Sequence, residues 1–358
     1  MAYSNICIAL PSLKCGGTER TAVEMANYIA NQGGNITLLL MYKKDKFYTI
    51  HPNVTVVEPE LNKSRLGKYL YTFLLQFYIR NELKKQKPDF VFALGYIAFT
   101  LFASLGLKTK VVLSGRSSPL RVRFPKNIVL NKVYSYTHKL LRSRVDGIIA
   151  QTSLAEKIYR SRFKCPIVVI PNFLRKLTDH KQKRKDQIIN VGRYSFEKGQ
   201  HFLLEAFSKL KAGKWKLVLV GDGPRREKLE SMARSLNITE RVLFTGFQDD
   251  VDFYLSQSKI FALTSIIEGY PNALIEAMAT PLPSVSFDCE AGPSDIIRDG
   301  ENGFLIDVGD IEKLTCRLQQ LIDDPDLRER IQLNAMNIRY DNEISKIAPK
   351  YLDFLEVI

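Results

Sequence analysis

Short apolar runs alternate along this chain with longer stretches in which apolar residues recur every three or four positions. Residues 5–10, "NICIAL", form the first run, of a length suited to a buried strand. A polar loop, "PSLKCGG", leads into "TERTAVEMANYIANQGG", where Val23, Ala26 and Ala30 fall on one helix face and Gly33-Gly34 supply the stop signal. "NITLLLMY" is the next strand, so the chain opens as a βαβ unit. Further runs at 89–94, 110–115 and 147–152, with helical segments between them, predict a doubly wound parallel sheet.

Near residue 170 the texture changes. "IVVIPNF" gives way to "LRKLTDHKQKRKD", a polar, charged run that reads as an exposed connection between domains. A second series of strands and helices then begins: "QIINVG", "GQHFLLEAFSKLKA", "WKLVLVG", "RVLFTG" and "KIFALTS", followed by a helix within 268–279. The pattern therefore predicts an α/β chain of two doubly wound domains, 1–172 and 173–340. Between them it predicts a cleft, a natural place for a ligand. Residues 341–358 form a tail expected to pack back onto the first domain.

The 358 residues suit two domains of roughly 150–200 each. With 45% hydrophobic and 25% charged residues, the composition argues against a disordered or fibrous chain. Five scattered cysteines without a CxxC pair, and only four histidines, point to neither a zinc site nor a disulfide framework. A reducing cytoplasm is the expected setting. No signal-peptide pattern opens the sequence, and no apolar stretch reaches the roughly 18 residues of a membrane span. The net charge of +14 is uneven: residues 1–175 hold 27 Lys and Arg against 9 Asp and Glu. The first half should therefore meet an anionic partner.

The stretch "EGYPNALIEAMA", 268–279, sets two acids around a Gly-x-Pro turn. Pro favours the first turn of a helix, so a helix should start near Pro271 and aim its free N–H groups, from Asn272 onward, at a phosphate. Glu268 would precede the helix and Glu276 would lie in its second turn. Taken alone, Glu268 reads as readily as a capping or surface acid. "NVGRYSFEKG" adds Arg193 and Lys198 in the first loop of the same domain, and parallel sheets gather such loops at their carboxyl edge. Two cations beside a helix N-terminus would cradle a diphosphate.

With these residues in place, the sequence resembles glycosyltransferase family 4, retaining enzymes of the GT-B architecture with two Rossmann-like domains. The resemblance rests on "LKCGGTER", "IPNF", "NVGRYSFEKG", "LVGDGPRREKLE", "VLFTGFQDDV", the glutamates Glu268 and Glu276, and "GPSDIIRDGENGFLIDVGD", in that order along nearly the whole chain. It implies that Glu276 holds the ribose of a nucleotide-sugar and that Glu268 lies by the donor sugar. Arg193 and Lys198 would neutralise the leaving diphosphate, and the N–H groups of Tyr270, Pro271's neighbour Asn272 and Ala273, with Gly269 in the turn, would hold sugar and phosphate. Gly16 and Gly17 would approach the diphosphate from the other domain, and Phe247 would border the base. UDP is the nucleotide implied, with no metal cofactor. "DDVD" at 249–252 reads as helix capping rather than a metal-binding DxD. Fixed cations and N–H dipoles suit this chemistry because the charge they meet grows as the sugar–phosphate bond breaks.

The acceptor side lies in the basic half. Residues 61–87 carry seven cations and one acid among many apolar positions, and 116–144 carry eight cations and no acid. Residues 61–87 read either as a core-facing helix with a basic outer face or as a segment suited to anionic headgroups, and the block 116–144 strengthens the second reading. The resemblance, nearest to capsule, O-antigen and lipid-linked glycan assembly enzymes, favours the second. It implies a peripheral place on the inner face of the cell membrane and a polyprenyl-diphosphate-linked saccharide as acceptor. Arg116 matches a residue of the family's acceptor side, although Gly115 replaces the acid usual before it. Alternative readings are an epimerase or phosphorylase on the same architecture, or a polyanion-binding protein; nucleic acid is not expected as a partner.

Overall fold

The computed structural model describes all residues except 1–4, 15, 62, 117, 121–126 and 212. They form two compact units, one of Met1–Phe173 with Ile344–Ile358, the other of Leu174–Glu343. Each is a Rossmann-like parallel sheet with helices on both faces.

In the first unit, strands β1 (Ile6–Leu10), β2 (Ile36–Leu40), β3 (Val54–Val57), β4 (Phe90–Ala93), β5 (Lys110–Leu113), β6 (Gly147–Ala150) and β7 (Ile167–Val169) take the order β3-β2-β1-β4-β5-β6-β7. β1, β2, β4 and β6 are buried along their whole length. Continuous apolar runs produce this because both faces of a parallel sheet are covered. Helix α1 (Gly17–Asn31) packs on one face and ends where its two glycines predict. Gly33 takes φ +76° and the Gly34 N–H donates to the Ile29 carbonyl at 2.9 Å. On the same face the C-terminal helix Ile344–Val357 buries Ile347, Tyr351 and Phe354. Phe354 comes so close that a Cβ on Gly147 would lie 3.0 Å from its ring.

The other face carries α2 (Lys63–Gln86) and α3 (Ile97–Ala103). Helix α2 kinks at Gly67, which has φ 71°. It buries Tyr71, Leu75, Ile79 and Leu83, yet Tyr69, Leu70, Phe73 and Phe77 face outward. Apolar residues thus occupy two faces, one more than a core-facing helix with a purely basic outer face would show. Helix α4 (Ile128–Leu140) has no buried residue and exposes Val129, Val133, Tyr136 and Leu140, spaced as one stripe. Among the described residues no helix is long and apolar enough to cross a membrane.

In the second unit, β8 (Gln187–Val191), β9 (Lys216–Val220), β10 (Val242–Phe244), β11 (Ile260–Leu263), β12 (Ser284–Phe287) and β13 (Phe304–Ile306) take the order β10-β9-β8-β11-β12-β13. The strand order reverses between β8 and β11, the point at which open α/β sheets hold ligands.

The polar run at 174–186 is exposed at seven of its residues, as its composition predicts, but it belongs to the second unit and packs on it in part. Leu174 and Leu177 pack against the second unit's core, the Thr178 N–H donates to Asp252 at 2.7 Å, and Arg184 donates to the Thr280 and Pro281 carbonyls. Arg175, Arg184 and Asp186 have partners within the second unit, while Lys176, Asp179, Lys181, Lys183 and Lys185 stay exposed. Residues 341–343 also stay with that unit, where the Asn342 carbonyl accepts from the Leu174 N–H at 2.6 Å and its amide donates to the Tyr270 hydroxyl at 3.0 Å.

Candidate functional site

The loops leaving β8 and β11 meet at the second unit's switch point. Gly199 takes φ +61°, and a Cβ there would lie 1.9 Å from the Thr264 carbonyl oxygen, so only glycine lets the loops approach this closely. The Ile266 N–H donates to the Glu197 carbonyl at 2.7 Å and locks them together. Lys198 and Glu268, one from each loop, are thereby placed with Nζ 2.6 Å from Oε1; the Glu268 side chain is 10% exposed and that of Lys198 30%. Arg193 stands exposed earlier in the same β8 loop, its carbonyl held by the Gln200 amide at 3.1 Å.

Pro271 is the N-cap of the helix Asn272–Ala279, one position before the first helical residue. The N–H groups of a first turn have no acceptor within the helix, so this end favours an anion. The turn before it is braced by the loop after β12: a Cβ on Gly292, at φ +100°, would lie 2.5 Å from the Gly269 carbonyl oxygen and 2.6 Å from Pro271 Cδ. Tyr270 is buried and points away to Asn342, its hydroxyl pushed up to about 12 by that burial. Burial, then the charge of Glu268, pushes the Cys289 thiol up to about 12, which marks a buried cysteine beside the site. Sequence reasoning placed the Tyr270 N–H at the site but not the bond of its side chain to Asn342, and it did not single out Cys289.

Glu276, nearly buried in the second turn of that helix, is 3.1 Å from Arg175 Nη2. Arg175 also donates through both terminal nitrogens to Asp252, which is buried and accepts the Thr178 N–H as well. Burial alone would raise the Asp252 carboxyl, but the Arg175 bonds and the Thr178 N–H hold it below the usual carboxylate range. Burial likewise opposes the Arg175 charge, and its two carboxylates raise it well above the ordinary guanidinium value. Of the "DDVD" acids, Asp250 caps the helix Val251–Gln257 by accepting the Phe253 N–H, whereas Asp252 serves Arg175. Sequence reasoning missed Arg175, whose neighbours in the chain are those of a surface segment.

Phe247 is exposed just beyond β10, in a turn that Gly246 joins to Gly221 through an N–H to carbonyl bond of 3.0 Å. In the first unit, Gly16 caps α1 with extended backbone, and Gly17 is that helix's first residue. Arg116 donates to Asn172 Oδ1 at 2.6 Å and to the Tyr351 hydroxyl at 3.2 Å, fastening the C-terminal helix to the carboxyl edge of the sheet.

Comparison with known proteins bears on this arrangement. The chain is 27% identical over 347 residues to an uncharacterized glycosyltransferase of Haemophilus influenzae, covering 95% of this chain and 96% of the relative. It is 25% identical over 363 residues to a Campylobacter jejuni alpha-1,4-N-acetyl-D-galactosaminyltransferase whose name gives a diNAcBac-PP-undecaprenol-linked acceptor, covering 98% of each. The crystal structure of Anabaena HepE in complex with UDP shares the fold, with a TM-score of 0.80 at 19% identity over 99% of this chain and 100% of that one. The family model for Glycosyltransferase Family 4 matches residues 15–175, and that for Glycosyl transferases group 1 matches 176–337. With both halves matched in this order, the chain belongs to the glycosyltransferases that join a family 4 domain to a group 1 domain.

Proposed function

We propose that the protein moves a sugar from a UDP-sugar to a polyprenyl-diphosphate-linked saccharide, with retention at the anomeric carbon, in cell-surface glycan assembly. The observation that carries this reading is the Lys198–Glu268 pair at the β8/β11 switch point, beside the N-terminus of the helix that holds Glu276. Glu276 takes the ribose hydroxyls, with Arg175 fixing its carboxylate. Glu268 takes a hydroxyl of the donor sugar, with Lys198 at the diphosphate. Arg193 adds a second cation, and the first N–H groups of the helix Asn272–Ala279 complete the cradle.

Charge on the diphosphate rises as the glycosidic bond breaks, so these fixed groups stabilise the transition state more than the bound donor. A glycosidase needs a carboxylate pair that flanks the bond as acid and nucleophile or base. Here each glutamate is already committed to a cation, Lys198 or Arg175, which fits positioning better than proton transfer. On this reading the departing phosphate assists deprotonation of the acceptor, and the bound metal of other transferases has no counterpart.

The acceptor class is supported by relatives whose names carry undecaprenol diphosphate acceptors. The reading places the first unit against an anionic membrane face, with Lys132 and Lys139 beside the exposed stripe of α4. Phe247 borders the base, while Gly16 and Gly17 lie by the diphosphate. The test is transfer from a UDP-sugar to a polyprenyl-diphosphate saccharide, with the product's anomeric configuration read by NMR. Retention is expected, and an inverted product would overturn the mechanism. Sedimentation with anionic but not neutral vesicles is expected as well; equal binding to both would remove the electrostatic part.

A further inference from the structure

The first unit has a switch point of its own. In the order β3-β2-β1-β4-β5 the direction of the connections reverses between β1 and β4, and it is at the carboxyl edge near such a point that open α/β sheets hold ligands. Just after β2 comes Tyr42 and just after β4 comes Tyr96, and their hydroxyls meet at 3.0 Å. Tyr71 of α2 stacks on Tyr42 with centroids 5.4 Å apart and rings 8° from parallel, while its own hydroxyl is held by the Met41 carbonyl at 2.6 Å. Tyr96 takes φ +50°, a left-handed conformation uncommon for so bulky a residue. Backbone held this way recurs where a binding site is built.

These three rings, with Lys43, Lys44 and Glu60, line an open cavity of about 740 Å³. That volume is within the range of small-ligand sites, roughly 300–1,000 Å³. Lys43 and Lys44 are exposed and make no ion pair among the described residues. An unengaged lysine pair at the mouth of an aromatic cavity suits an anionic group attached to something partly apolar, and ammonium groups bind phosphate as point charges. The apolar side is close by: Tyr69, Leu70 and Phe73 are exposed within a turn of Tyr71 on α2.

We propose that this cavity binds the diphosphate end of the acceptor. Lys43 and Lys44 meet the phosphates, Glu60 and the tyrosine hydroxyls meet the first sugar, and the lipid runs over the outer face of α2. The proposal deepens the transferase reading and rests on it for the identity of the occupant.

The experiment is titration calorimetry on the full chain with farnesyl diphosphate, inorganic pyrophosphate and UDP as separate probes, for wild type and for Lys43→Gln/Lys44→Gln. Wild type should bind farnesyl diphosphate more tightly than pyrophosphate. The double variant should lose roughly tenfold or more in that affinity, as expected when charge-assisted bonds are removed, with UDP binding unchanged. A Tyr96→Phe variant should keep farnesyl diphosphate binding and raise the KM of the saccharide acceptor alone. Unchanged farnesyl diphosphate binding in the double variant overturns the proposal, as does competition by UDP. Equal affinity for pyrophosphate and farnesyl diphosphate would reduce the cavity to a simple anion site and overturn the lipid-linked occupant. If UDP binds nowhere, the transferase reading fails while the farnesyl diphosphate result still decides the cavity.

Discussion

The ammonium of Lys198 lies 2.6 Å from a carboxylate oxygen of Glu268, although the two residues belong to different loops seventy positions apart. The pair is mostly sheltered, so each charge depends on the other for compensation. Lys198→Ala should lower the transfer rate by roughly a hundredfold or more, the scale of losing one preorganised charge-stabilising donor. Adding Glu268→Gln should restore thermal stability without restoring the rate. A double-mutant cycle read by both unfolding and turnover checks this; recovery of turnover would mean that Lys198 only neutralises Glu268.

Arg175 is expected to act through Glu276. Arg175→Gln should weaken nucleotide-sugar binding by roughly tenfold and shrink the preference for the ribose donor over its 2′,3′-dideoxy analogue. The ratio of the two affinities, measured by calorimetry, separates positioning from general damage to the fold. A preserved ratio would leave Arg175 with a structural role alone.

Asp252 has a folded-state pKa below its unfolded value, so the stability it supplies is present above the unfolded carboxylate range. It should be lost as pH falls from about 4 through the lower folded value. Asp252→Asn should therefore reduce stability at neutral pH and flatten this acid limb. Denaturant unfolding between pH 2 and 7, on the order of one measurement per pH unit, checks the sign.

Arg116 is held by Asn172 and Tyr351. Arg116→Ala should loosen the helix Ile344–Val357, with a stability loss of about 1–3 kcal/mol. Hydrogen exchange in that helix is the readout. Normal protection combined with a raised acceptor KM would favour the acceptor-side role instead.

Much of this arrangement was legible in the chain. Continuous apolar runs mark the strands because parallel sheets are covered on both faces, and Pro271 marks its helix to within one position, since it sits at the N-cap rather than at the first helical residue. Arg175 was not legible. Its partners Asp252 and Glu276 are 77 and 101 positions away, so "LRKLTDHKQKRKD" shows its polarity but not which of its cations is drawn in. The ring cluster of Tyr42, Tyr71 and Tyr96 was hidden for a related reason: three separate elements supply it, and no periodicity links them. Helix α2 reads as amphipathic with a basic outer face, but its spacing alone does not say that Phe73 and Phe77 stay outside.

The most direct measurement is acceptor-dependent release of UDP. Purified protein is mixed with a panel of UDP- and GDP-sugars, with and without a polyprenyl-diphosphate-linked saccharide. One UDP-sugar should be turned over only when the acceptor is present, and the turnover should be lost in Lys198→Ala and Arg193→Ala. A donor consumed equally without acceptor, or undiminished turnover in both variants, would contradict the account.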